Sequence, residues 1–176
     1  MAVHTPITPS GADEVPHITT ASLAFIPILG TLRKLIIAER DLADISYSQD
    51  PAYHAWLRDS ELAHERLTDT LRDFCALSIS HPADQPLLRA VMLIDAILGH
   101  EEAGGGRHLA VQMRAAFFSR FQLRGIDPTA LHRNALLVQA RHLISALAAL
   151  PLFDACPEAT VAVDPADDDS DLLPAF

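Results

Sequence analysis

Two Asp-Pro pairs, Asp50-Pro51 and Asp127-Pro128, each open a run in which apolar residues return every three or four positions. An aspartate side chain accepts the free N–H groups of a helix's first turn. Proline at the first helical position loses no hydrogen bond, because its missing N–H would have no partner within the helix. The pairs fix two helix starts, and the same period recurs from about Thr20 to Leu150. Strand-like alternation is confined to the short ATVAV at 159–163. The spacing predicts an all-α fold, a compact bundle of four to five helices.

The helices are expected at about 21–46, 50–78, 84–103, 107–124 and 127–150, with Pro27 starting or kinking the first and Gly125 and Pro151 ending the last two. Short connections after the second helix favour antiparallel neighbours. Residues 1–19, rich in Pro, Thr and Ser without periodicity, read as a disordered N-terminal arm. Residues 20–153 read as a single helical-bundle domain, and 154–176 as an acidic, disordered tail. A chain of 176 residues suits one domain with a true core.

The segment ILGHEEAGGGRHLAV, residues 97–111, concentrates histidine and glutamate around three glycines. A zinc-binding His-Glu-x-x-His helix would need histidine where Gly104 stands, and a P-loop would need a preceding strand and a closing Gly-Lys-Ser/Thr. Glycine is unfavourable inside a helix by about 1 kcal/mol. The three glycines are therefore expected to end the third helix, leaving at most a weak anion site at the start of the fourth with Arg107.

Helical phase picks out polar residues on apolar stripes. Glu39 falls on the stripe of the first helix, and Asp95 on that of the third, expected to be the most buried helix. In the second helix Ser60 and His64 fall on the stripe of Tyr53, Trp56, Leu57, Leu67, Leu71, Phe74 and Cys75, with Glu61 at its edge. Glu61-x-x-His64 has the spacing of di-iron bundles, so Glu39, Glu61, His64 and Asp95 form a candidate metal or small-ligand set. A second Glu-x-x-His and any His-x-x-x-His are missing, which favours a structural polar network. HERLTDTL at 64–71 shares a His-Glu pair, and a threonine four residues after the histidine, with sensor-kinase phosphoacceptor helices; the inward register of His64 separates it from them.

Charge is segregated along the chain. Residues 103–150 hold six arginines, Arg107, Arg114, Arg120, Arg124, Arg133 and Arg141, against Asp127 alone. Residues 154–176 hold seven acidic side chains and no basic one, then end in the apolar hook Leu172, Leu173 and Phe176. The arginines form a candidate basic surface. The hook is a candidate docking motif, for a partner or for this chain's own arginine-bearing helices. A pI of 5.2 argues against nucleic acid as the arginines' target.

Cys75 and Cys156 form no CxxC pair, and the N-terminus lacks a signal peptide's charged start and apolar run, so a cytoplasmic setting is expected. The apolar run Leu23–Leu32 stops at Arg33-Lys34, short of the roughly twenty residues a bilayer requires, so no membrane is expected. Lys34 is the only lysine against twelve arginines, the bias of a GC-rich bacterial coding sequence. These features point to a non-catalytic interaction or regulatory protein, without a cofactor, that works through a protein partner or as a homo-oligomer. An internal metal or ligand site is the first alternative, and nucleic-acid binding through the arginines the second.

Overall fold

The computed structural model describes residues 15–43, 51–100 and 104–153. Helix α1, Thr20–Ala43, is opened by a reciprocal cap: the Ser22 backbone N–H donates to Thr19 Oγ1 and the Thr19 N–H to Ser22 Oγ, each at 3.1 Å. The helix continues through Pro27, whose missing N–H leaves a gap on the solvent side, where both Leu23 and Pro27 are exposed. Helix α2, Pro51–Cys75, runs back antiparallel along α1. An edge-to-face pair, Phe25 with Phe74, a hydroxyl pair, Thr31 with Thr70 at 3.1 Å, and a hydrogen bond from Ser60 Oγ to Glu39 set the register.

A 3₁₀ turn, Pro82–Asp84, leads into α3, Gln85–Leu98. This helix touches each of the other four and buries Leu87, Ala90, Val91, Ile94 and Ile97, which matches its expected central place. Helix α4, Gly105–Ala116, passes into a π-helical turn, Phe117–Phe121, rather than running on to Arg124. Arg89 Nη1 donates to the Arg120 carbonyl at 2.6 Å, satisfying one of the acceptors that the end of a helix exposes. Helix α5, Pro128–Leu147, starts where the Asp-Pro pair predicts, with Asp127 Oδ1 accepting the Ala130 N–H at 2.9 Å. Asn134 ties down the preceding loop by accepting the Leu123 N–H and donating to the Leu123 carbonyl. The 3₁₀ turn Pro151–Phe153 packs on α4. No strand occurs among the described residues, and the fold is an all-α bundle of five α-helices.

The glycine run does something other than expected. Helix α3 already stops at Leu98, and Gly104, at φ 78°, caps α4 while Gly105 and Gly106 form its first turn. A Cβ on Gly106 would stand 3.1 Å from Ile97 Cγ2 and 3.2 Å from Phe153 Cδ1. One on Gly105 would overlap the His100 ring at 2.0 Å. The run lets the head of α4 lie against the end of α3 and the turn after α5. Two observations bear on other expectations. Within residues 15–19, at the end of the expected arm, His17 and Thr19 hydrogen-bond to α5 and to the 3₁₀ turn before α3. And α1 is long and apolar enough to cross a membrane by length and composition, with an 18-residue window of mean hydropathy 1.6, because its solvent side is apolar as well as its buried side.

Candidate functional site

The interior holds a polar cluster that does not include the expected residues. Arg133 is 0% exposed and Asp84 2%. Arg133 belongs to the inward row of α5 with Ala130, Leu137, Ala140, Ile144 and Leu147, so the helix carries its guanidinium into the core. Arg133 Nε donates to Asp84 Oδ1 at 2.9 Å and Nη2 to Thr19 Oγ1 at 3.0 Å, while Thr19 Oγ1 donates to Asp84 Oδ2 at 2.6 Å. With the Ser22 N–H also arriving at Thr19 Oγ1, that hydroxyl uses its one donor and both lone pairs. Arg133 Nη1 meets no acceptor among the described residues. Beside the cluster the His17 N–H donates to Thr129 Oγ1 at 2.9 Å, and the His17 ring stacks on His81, 5.1 Å between centroids. His81 Nδ1 in turn accepts the Ala83 N–H, capping the turn before α3. The cluster clamps the start of α1 to α3 and α5. Its charges are paired and closed off from solvent, which makes it structural.

The candidate metal set is not brought together. His64, Glu61 and Asp95 are exposed, and half-buried Glu39 is engaged by Ser60. Among the described residues no group of three or more His, Cys, Asp or Glu side chains could hold a metal ion. The inward reading of His64 fails for a physical reason. Helix α2 leans chiefly on α1, so its buried stripe is narrow, Ser60, Ala63, Leu67, Leu71 and Phe74, and His64 stands about 60° from its centre. Burial therefore does not distinguish His64 from a phosphoacceptor histidine. Asp95 lies still further round α3 from Leu87, Ala90, Ile94 and Ile97.

The basic surface loses Arg133, which is in the core. Arg107, Arg114, Arg120 and Arg124 are exposed, and half-buried Arg141 lies over the rings of Phe117 and Phe118 at 5.0 and 5.7 Å. On α4 the positions Arg107, Val111 and Arg114 are spaced four and three apart, which places them in one row along the helix, and Phe118 follows in the π-helical turn at its end. All four are exposed, Phe118 by 69%. Cation and apolar side chain alternate along this row. It borders a groove of about 200 Å³ between α4 and α5, lined by Arg107, Ala110, Val111, Arg114, Ser145 and Ala148 among others. The tail, including Leu172, Leu173 and Phe176, lies outside the described residues. No protein-family model, curated protein or solved structure matches this chain.

Proposed function

We propose that this chain is a non-catalytic protein-interaction module whose α4 face takes an acidic segment that ends in apolar residues. Its own residues 164–176 are the resident occupant, displaced by a partner's segment of the same chemistry. The observation that carries this reading is the exposed row Arg107, Val111 and Arg114 on α4, continued by exposed Phe118 in the π-helical turn at its end. DPADDDSDLLPAF offers that row the complementary sequence, five carboxylates followed by Leu172, Leu173 and Phe176. Arginine forks bind carboxylates in two-point contacts, and Phe118 offers an apolar and aromatic anchor. The tail starts directly after Phe153, which is already packed against Gly106 at the head of α4. Tethering there gives the tail a local concentration of order millimolar, enough to occupy a weak site.

Nucleic acid is the weaker reading. Arg133 is buried, Arg141 is engaged with two aromatic rings, and the acidic tail would compete with phosphate for the exposed arginines.

A fluorescein-labelled peptide of residues 164–176, titrated in trans, tests the proposal. The full-length chain with Asp167, Asp168, Asp169 and Asp171 changed to Asn should bind it at least about tenfold more tightly than wild type, whose own tail competes. Binding should weaken steeply between low salt and 0.5 M salt, where the Debye length is only about 4 Å. It should fall at least about tenfold in Arg114→Glu and in Phe118→Ala. Equal binding by all four proteins, or none by any, contradicts the proposal.

A further inference from the structure

Helix α1 shows solvent a second apolar surface, which shares no residue with the α4 row. Leu23, Ile26, Gly30, Ile37 and Asp41 fall on one line of the helix, with Lys34 beside it. Across the groove from this line stand Trp56 and Leu62 of α2. Leu23, Ile26, Ile37, Trp56 and Leu62 are 39–56% exposed. Exposed apolar side chains gathered along one helix face mark a surface that another molecule covers.

Gly30 adds an independent sign. It stands in the interior of α1, has no left-handed φ, and a Cβ there would meet nothing within 4 Å. Nothing among the described residues asks for glycine at a position where alanine would make a better helix. A missing side chain on an exposed helix lets another backbone come close.

The charges in the groove say what covers the face. The groove, about 310 Å³, is lined by Lys34, Ile37, Asp41, Trp56, Asp59 and Arg66 among others. The register set by Thr31 with Thr70 and Glu39 with Ser60 puts Lys34 level with Arg66, and Asp41 level with Asp59. One end of the groove is thus doubly cationic and the other doubly anionic, with Ile37 and Leu62 between. None of the four charged residues makes an ion pair among the described residues. Like charges side by side repel, so each end lacks a counter-charge. A second copy turned by 180° about an axis through the Ile37–Leu62 region supplies it. Its cationic end lies over the first copy's anionic end and the reverse, as an isologous interface requires.

We propose that this chain self-associates through the α1–α2 face, two copies meeting on a two-fold axis near Ile37 and Leu62. A lipid surface would accept Leu23 and Ile26, but it offers no counterpart for paired acids and paired bases on one face.

Charge reversal in the full-length chain tests the inference by sedimentation velocity. Wild type should be dimeric. Asp41→Lys with Asp59→Lys, and separately Lys34→Glu with Arg66→Glu, should each weaken the dimer at least about 100-fold. An equimolar mixture of these two variants should restore it, an outcome that misfolding of either would not give. Trp56, the only tryptophan, should emit at shorter wavelength in the dimer than in either variant alone. A monomeric wild type at about 100 μM, a concentration at which a specific interface of standard size is filled, overturns the proposal. So do variants that dimerise like wild type, or wild type that sediments with neutral vesicles as a monomer.

Discussion

Asp84→Ala should cost about 3–5 kcal/mol of folding free energy, because it leaves the Arg133 guanidinium charged and unpaired in a site without access to water. For a helical body of this size that lowers the melting temperature by roughly 10 °C. The loss has three parts: the ion pair to Nε, the hydrogen bond from Thr19, and the desolvation that Asp84 now offsets. Replacing the pair with apolar residues, Asp84→Leu with Arg133→Met, should recover much of the loss, since it removes the stranded charge along with its partner. Chemical denaturation of the three proteins checks this. If Asp84→Ala falls within about 1 kcal/mol of wild type, Arg133 reaches water and the cluster does not hold the three helices together.

The second large effect is expected on α2. Phe74→Ala removes a ring that is 1% exposed and packed edge-to-face on Phe25, and should cost about 3–5 kcal/mol. His64→Ala, on the same helix but facing solvent, should change stability by no more than about 0.5 kcal/mol. The contrast is a direct check on the rotational phase of α2. A large loss in His64→Ala would restore the inward reading of that side chain.

These effects also show what was legible in the chain. The start of α5 was, because Asp127-Pro128 is local chemistry and its cap forms as read; α2 likewise begins at Pro51. The centrality of α3 could be read from apolar residues on more than one side. Helix phase could not be read as finely. Leu57, which is half-buried, and Cys75, which is exposed, shift the apparent centre of the α2 stripe toward His64, whereas its chief neighbour α1 covers only the Ser60–Ala63–Phe74 side. The signal for Arg133 was present, since it stands three and four residues from Ala130 and Leu137 on the inward row. Residue type spoke against the position, because arginine ordinarily lies on a helix's solvent side. The glycine run depended on tertiary packing that spacing does not carry: the approach of Ile97, His100 and Phe153 to α4. The π-helical turn at Phe117–Phe121, which places Phe118 outward beneath Arg141, likewise left no local mark.

The proposed function rests on the α4 row, and backbone amide chemical shifts report on it residue by residue. Full-length wild type is compared with the variant in which Asp167, Asp168, Asp169 and Asp171 are Asn. The account predicts shift changes at the substituted residues and, in addition, along Arg107, Val111, Arg114 and Phe118, with the remainder of the bundle unmoved. Changes confined to the substituted residues and their chain neighbours would contradict it.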